Sequence, residues 1–234
     1  MDRQNRQIRG LSSMATRQIL AELAEHIGQA HGIPVDFEAG GGVAIAQRVR
    51  DGAAGDVAVL AEGALAKLAA EGHVLAATVR PLWVSQVVAA VPSGAPVPAL
   101  AGEADLRAAL LGARRIAYST GPSGTALIEL IARLGLADTL GDRLVQAPPG
   151  VPVGTLLTSG QADLALQQHS ELMDLPGVFV VGPLPGETAI ASTFSGAVMA
   201  ASDDPESART VLDLLGSAAG AAIARARGMR AVSV

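Results

Sequence analysis

Hydroxyl-rich turns are the features of this sequence best suited to chemistry. Residues 118–125 read Tyr-Ser-Thr-Gly-Pro-Ser-Gly-Thr and stand between a predicted strand and a predicted helix. Backbone N–H groups, hydroxyls and the positive end of a helix dipole converge at such a turn, which makes it a candidate anion site. An ordinary helix start built from turn residues is the alternative. The binding residues expected here are Ser119, Thr120, Ser123, Gly124 and Thr125.

Two earlier turns repeat this arrangement. Ser12 and Ser13 follow the first predicted strand, where a serine also serves as an ordinary helix N-cap. Gly41 and Gly42 follow the second predicted strand and would allow a ligand to approach the backbone closely. The glycine run lacks the spacing of a dinucleotide fingerprint and the Gly-Lys-Ser/Thr end of a P-loop. Three such turns in one chain favour a shared ligand.

A fourth turn carries amides and a histidine. Gln167 and Gln168 could donate hydrogen bonds to a carboxylate, and His169 could carry a proton near neutral pH. The alternative is a polar turn that faces solvent.

Composition excludes several classes of function. The 234 residues carry a net charge of -5 without a run of Lys or Arg, which argues against a nucleic-acid partner. No cysteine is present, so disulfides and thiolate chemistry are excluded. The other histidines lack metal-ligand spacing, and no Gly-x-Ser-x-Gly elbow occurs. We therefore expect neither a metal nor a cofactor.

The N-terminal residues 1–9 are polar and lack the apolar core of a secretory signal. The sequence as written predicts a cytoplasmic protein, whereas a signal segment that had been removed would make it periplasmic. No apolar stretch reaches the roughly 20 residues that cross a bilayer, so membrane insertion is not expected.

Strand and helix patterns alternate along the chain. Helical periodicity predicts a first helix over 14–27 and a last helix over 207–227. The length of the chain suits two lobes, and we expect the last helix to pack on the first of them. This alternation predicts an α/β protein with mixed, mostly parallel sheets flanked by helices. Ligands of such sheets bind beyond the carboxyl ends of the strands, where the four turns lie.

Three motifs, in this order, resemble a known family. They are Leu-Ser-Ser-Met at 11–14, Gly-Ala-Ala-Gly-Asp-Val-Ala-Val at 52–59 and Ile-Ala-Tyr-Ser-Thr-Gly-Pro-Ser-Gly at 116–124. The chain resembles, over nearly its whole length, the molybdate-binding-protein-like branch of type 2 periplasmic binding proteins. The resemblance implies a two-lobed fold with a ligand cleft between the lobes. The implied lobes are 1–82 with 195–234, and 83–194, with crossover hinge segments near 78–85 and 190–195.

The resemblance also assigns site residues. The first ligand serine of the family matches Ser13, whereas the second falls at Gly41 and Gly42, which supply no hydroxyl. The tyrosine expected late in the second lobe is replaced by the turn at 167–169. Segments 118–124, 166–172 and 181–187 are similar to a sub-branch that includes aconitate isomerase. That similarity implies a pocket for carboxylates and a 1,3-proton shift.

Two functions follow. The first is a binding protein that closes around a small anion, either a carboxylate such as a tricarboxylate or a molybdate-like oxyanion, and that serves an ABC transporter permease if it is exported. The alternative is a cofactor-free isomerase of a small unsaturated tricarboxylate, which requires a general base. His169, with Glu171 behind it, is the candidate catalytic residue.

Overall fold

The computed structural model describes residues 6–148 and 150–232. Part of the polar N-terminal stretch, residues 1–5, lies outside the described residues. The chain divides into two compact units. Unit 1 comprises Met1–Val84 and Thr193–Val234, and unit 2 comprises Ser85–Ser192.

Strands and helices alternate through both units. The first part of unit 1 contains β1 (Ile8–Ser13), α1 (Arg17–His31), β2 (Val35–Gly40), α2 (Gly42–Arg50), β3 (Val57–Ala61) and α3 (Glu62–Ala70). The chain enters unit 2 within β4 (Arg80–Pro92). Unit 2 continues with α4 (Glu103–Gly112), β5 (Ile116–Tyr118), α5 (Pro122–Arg133), α6 (Ala137–Leu140), β6 (Leu144–Gln146), α7 (Gly154–Thr158), β7 (Leu164–Gln168), α8 (His169–Leu172) and β8 (Val178–Pro183). The chain returns to unit 1 within β9 (Ala191–Val198), followed by α9 (Pro205–Leu215), α10 (Ala218–Ala226) and β10 (Met229–Ala231).

The sheet of unit 1 is centred on β1. Strands β2 and β3 pair with β1 in parallel, and β9 pairs with β3 antiparallel. Apolar clusters cover both faces, one with α1 and α9 and the other with α2 and α3. Gly10 allows the Phe37 ring to lie against β1, because a Cβ at Gly10 would stand 2.0 Å from that ring.

The sheet of unit 2 is centred on β5. Strands β6 and β7 pair with β5 in parallel, and β4 pairs antiparallel with β7 and with β8. Helices α4 and α5 bury leucines on one face, while α7 and α8 bury leucines on the other. At its carboxyl end β5 leads through a short turn into α5, and β7 leads directly into α8.

The predicted α/β class with mixed, helix-flanked sheets is confirmed. The expected single helix over 207–227 is wrong, because Gly216 ends α9 and Ser217 starts α10 by accepting a hydrogen bond from the N–H of Gly220. Strand β9, which the sequence analysis did not predict, begins in the segment where the resemblance implies a crossover. Helices α9 and α10 pack against α1, as expected for the end of the chain.

None of the described helices has both the length and the apolar composition needed to cross a bilayer. Within residues 6–148 and 150–232, His, Asp and Glu form no cluster that could hold a metal ion.

Candidate functional site

The serine pair at the end of β1 is buried. Ser13 occupies the N-cap of a short 3₁₀ turn, yet its side chain makes no capping hydrogen bond. Its carbonyl oxygen instead accepts a hydrogen bond of 3.0 Å from the Thr16 hydroxyl. The hydroxyls of Ser12 and Ser13 have no hydrogen-bond partner among the described residues. The capping interpretation of Ser12 and Ser13 is therefore wrong.

The glycine turn lies beside Ser13. Helix α2 begins at Gly42. Its N-cap residue is Gly41, which has no side chain to accept a hydrogen bond from the first turn. A Cβ at Gly42 would stand 3.7 Å from the Cβ of Ser13, so the start of α2 contacts the end of β1. The structure therefore brings together the first two predicted turns.

The third turn forms a tight start to α5. The hydroxyl oxygens of Ser119 and Ser123 lie 3.2 Å apart, and Gly121 provides the N-cap without a side-chain hydrogen bond. A Cβ at Gly124 would stand 1.9 Å from the carbonyl oxygen of Ser119, so this approach requires glycine. Thr120 and Thr125 are both exposed. The structure thus joins the two serines and leaves the two threonines at the surface.

The amide turn at the end of β7 is buried. Gln167 and Gln168 are each 3% exposed, so the solvent-facing interpretation is wrong for both. The side-chain nitrogen of Gln168 donates a hydrogen bond of 2.8 Å to the Ser192 hydroxyl. The Oε1 atoms of both glutamines have no partner among the described residues. Ser192 is a member of this group that the sequence analysis missed.

His169 begins the four-residue helix α8 and is half-buried. Ser170 follows it, is buried, and has a hydroxyl without a partner in the described part of the chain. The candidate base therefore lies directly beside the buried polar atoms of unit 2.

Buried oxygens without partners concentrate in the predicted turns. Eight such side-chain atoms occur among the described residues, and five of them belong to Ser12, Ser13, Gln167, Gln168 and Ser170. The other three belong to Gln18, Ser85 and Ser195, which sequence reasoning missed. Ser85 and Ser195 are single serines within strands β4 and β9, where no motif or spacing marks them as site residues. Most native buried polar groups are hydrogen-bonded, so these atoms are unusual and are the candidates for contact with a ligand.

Comparisons with known proteins identify the family of this chain. The family model described as bacterial extracellular solute-binding protein matches residues 8–230. The chain belongs to this family. A relative from Pseudomonas sp. named aconitate isomerase is 31% identical over 212 residues, which cover 88% of this chain and 81% of the relative.

Solved structures share the fold of this solute-binding protein. The periplasmic molybdate-binding protein of Azotobacter vinelandii superposes with a TM-score of 0.81 at 20% identity, over 97% of this chain and 99% of that one. The sulfate-binding protein of Mycobacterium tuberculosis superposes with a TM-score of 0.81 at 16% identity, over 97% of this chain and 87% of that one. The similarity predicted from the sequence motifs is thereby confirmed at the level of fold.

The four turns of this solute-binding protein carry no Lys or Arg. Their donors are hydroxyls, carboxamides and the N–H groups at the starts of α2 and α5. Helix N-termini carry a partial positive charge, so neutral groups of this kind can stabilise an anion.

Two cavities of the solute-binding protein lie away from these turns. One, of about 640 Å³ in unit 1, is lined by the start of β4 and by α9 and includes the ion pair of Arg80 with Asp213. The other, of about 460 Å³ in unit 2, lies along α4. Neither includes a residue of the four turns, whose buried oxygens are shielded from solvent.

Asp56 is a buried carboxylate with a structural role in the solute-binding protein. It accepts hydrogen bonds from the Arg6 guanidinium at 3.1 Å, the Arg9 N–H at 2.9 Å and the Ser202 hydroxyl at 2.7 Å. These bonds tie the first and third strands of unit 1 to the segment before α9. Asp56 is thus occupied by contacts that hold the unit together.

Proposed function

We propose that this protein binds a small anion through the buried hydroxyls and amides at its strand ends. The observation that carries the proposal is that the hydroxyls of Ser12, Ser13 and Ser170, buried in the predicted turns, have no partner among the described residues and are free to donate. Each buried group without a partner costs about 1 to 3 kcal/mol. A ligand that hydrogen-bonds to these groups recovers part of that cost.

The chemistry of the donors favours an anion. Ser13 lies beside the start of α2, and Ser123 lies in the first turn of α5. Both positions combine a hydroxyl with the positive end of a helix dipole. A carboxylate or an oxyanion accepts several hydrogen bonds at once, which suits such a group of donors.

Binding is coupled to a conformational change in this proposal. The hydroxyl oxygens of Ser12 and Ser13 are shielded from solvent, so the residues that cover them must move before a ligand reaches them. A ligand that contacts these oxygens stabilises the state in which the contacts form.

Calorimetric and thermal-shift titrations with molybdate, sulfate, cis-aconitate and trans-aconitate test the proposal. We expect saturable binding of at least one anion, weakened by about 1 to 2 kcal/mol in Ser13→Ala and in Ser123→Ala. Ser217→Ala is the matched control, because Ser217 caps α10 and should affect stability without affecting affinity. Full affinity in both site variants would remove these serines from the site.

A second candidate function is the isomerisation of an unsaturated tricarboxylate, supported by the relative named aconitate isomerase. The His169 imidazole would take a proton from the allylic carbon, and the electron pair would form a dienolate stabilised by the hydrogen-bond donors. The proton would return to the far carbon of the three-carbon unit, which moves the double bond. No cofactor is required.

Proton NMR with cis- and trans-aconitate in deuterated buffer tests this second function. Interconversion with deuterium uptake, lost in His169→Ala, would support catalysis. The exposed His26→Ala is the matched control and should keep full activity. Saturable binding without exchange would contradict catalysis and leave the binding function in place.

The family description names extracellular proteins, which favours export of this chain. We infer delivery of the bound anion to an ABC transporter permease. Fractionation of the source cells and uptake of the bound anion by a deletion strain test this inference. A protein confined to the cytoplasm, or unchanged uptake, would contradict it.

A further inference from the structure

A hydrogen-bonded pair in unit 2, Gln168 with Ser192, leaves one hydroxyl proton unused. The side-chain nitrogen of Gln168 donates to the Ser192 hydroxyl over 2.8 Å. A serine hydroxyl can accept one hydrogen bond and donate another at the same time. Ser192 accepts from Gln168, and no described residue accepts a hydrogen bond from Ser192. The Ser192 hydroxyl therefore has a proton available for a further hydrogen bond.

A second glutamine–serine pair in unit 2 provides a contrast. The side-chain nitrogen of Gln161 donates to the Ser159 hydroxyl over 2.9 Å. The Ser159 hydroxyl in turn donates to the carbonyl oxygen of Leu156 at 3.4 Å. This pair is exposed and both of its partners are used within the chain, whereas Gln168 is 3% exposed. The pair of Gln168 and Ser192 is thus the more buried one and the one with a free donor.

Burial separates the roles of the two residues. Gln168 lies opposite Val87 of β4 in the antiparallel register, and its Oε1 atom is shielded from solvent. Ser192 is half-buried and is therefore the more accessible member of the pair. A ligand would reach the serine hydroxyl first, while the glutamine holds that hydroxyl from behind.

The pair lies at the edge of the sheet where ligands of α/β proteins bind. Strands β5 and β7 run parallel from Ile116 and Leu164 onwards, so both strands end at the same edge. Gln168 is the last residue of β7, and Ser119 is the first residue after β5. Ligands bind beyond the carboxyl ends of parallel strands. Ser192 thus brings a hydroxyl to the edge that also carries the serine turn of α5.

We infer that Ser192 donates a hydrogen bond to the bound anion and that Gln168 is the positioning residue that orients the Ser192 hydroxyl. This inference rests on the proposed anion-binding function. It gives Gln168, which the sequence predicts to contact the ligand, a role that acts through Ser192. An anion favours this direction of the hydrogen bond, because the opposite direction would turn the lone pairs of Ser192 toward a negative charge.

Calorimetric titrations of the full chain with molybdate, sulfate, cis-aconitate and trans-aconitate test the role of Ser192. We expect Ser192→Ala to weaken about tenfold each anion that binds, the effect of one lost hydrogen bond to a charged group. Ser192→Thr keeps the hydroxyl and should stay within about threefold of wild type. Ser159→Ala is the matched control and should leave affinity unchanged, because the Ser159 hydroxyl donates to the backbone.

A double-mutant cycle tests the role of Gln168. Gln168→Met removes the donor and keeps an unbranched side chain of similar length, and we expect it to weaken anion binding about fivefold. In the Ser192→Ala background the same change should alter affinity by less than about twofold, because no hydroxyl is left to orient. Gln161→Met is the matched control and should have no effect in either background.

The outcomes separate this inference from the proposed function. If no anion binds, both fail. If Ser123→Ala weakens an anion and Ser192→Ala does not, the donor role of Ser192 is overturned while anion binding stands. An equal loss from Gln168→Met with and without the Ser192 hydroxyl would overturn the positioning role, because Gln168 would then contact the anion itself. Melting temperatures within about 3 °C of wild type would show that the variants are folded.

Discussion

The hydroxyl oxygens of Ser119 and Ser123 lie 3.2 Å apart at the start of α5. At this distance one hydroxyl donates to the other, so only the accepting serine keeps its proton for a third group. The two serines therefore act as one donor unit, oriented by the turn that connects them.

A double-mutant cycle measures this coupling. Ser119→Ala and Ser123→Ala should each lower anion affinity by about 1 to 2 kcal/mol, and the double variant should lose less than the sum. Isothermal titration with the tightest-binding anion gives the four affinities. Strict additivity would mean that the serines act independently.

Gly124 should tolerate no side chain. In Gly124→Ala the new Cβ would overlap the carbonyl oxygen of Ser119, so the first turn of α5 must move. We expect a loss of stability of about 1 to 3 kcal/mol, measured by urea unfolding, together with weaker anion binding. Gly112→Ala is the control, because a Cβ there meets no atom within 4 Å. Equal stability of the two variants would contradict the tight turn.

Asp56 should matter for stability and not for affinity. Asp56→Asn places an amide where the Arg9 N–H, the Arg6 guanidinium and the Ser202 hydroxyl all donate. We expect a loss of about 1.5 to 3 kcal/mol in the free energy of unfolding. The exposed Asp51→Asn should change it by less than about 0.5 kcal/mol. A loss of affinity without a loss of stability would show that Asp56 acts in binding.

Asp163 should make unit 2 sensitive to acid. Burial alone would raise the pKa of Asp163, but hydrogen bonds from the N–H groups of Arg115 and Arg114 and from the Arg114 guanidinium outweigh it, so the pKa is lowered. A carboxyl group whose folded pKa lies below its unfolded pKa stabilises the protein at neutral pH. That contribution is lost as the pH falls below about 4.

Asp163→Asn isolates this contribution. The variant should melt at a lower temperature than wild type at pH 7, and the difference should shrink between about pH 4 and pH 2. Asp51→Asn again serves as the control. A difference that stays constant with pH would mean that the charge of Asp163 contributes nothing to stability.

The alternation of strands and helices and the positions of the turns could be predicted from sequence, because hydrophobic periodicity and turn residues are local signals. The start of α5 illustrates this, since Gly121, Pro122 and Gly124 lie where the chain turns. The burial of Gln167 and Gln168 could not be predicted, because it depends on the pairing of β7 with β4 and on the contact with Ser192, both distant in sequence.

Strand β9 was missed for a similar reason. Its residues Ala-Ser-Thr-Phe-Ser-Gly-Ala-Val alternate weakly in polarity, and their pairing with β3 joins positions far apart in the chain. The buried, unpartnered hydroxyl of Ser195 lies in this strand and was missed with it. Local patterns thus predict turns, whereas long-range pairing determines which polar residues meet.

The course of the chain through β4 and β9 bears on how the protein is synthesised. Unit 2 is one continuous segment, whereas unit 1 combines residues from both sides of it. Val211 and Leu212 of α9 complete a core cluster with Ile19 and Leu23 of α1. All of unit 2 therefore leaves the ribosome while the sheet of unit 1 still lacks β9 and the helices α9 and α10. The apolar surface of that sheet stays exposed until α9 and α10 have been synthesised, and a chain that stops after residue 192 would be prone to aggregation.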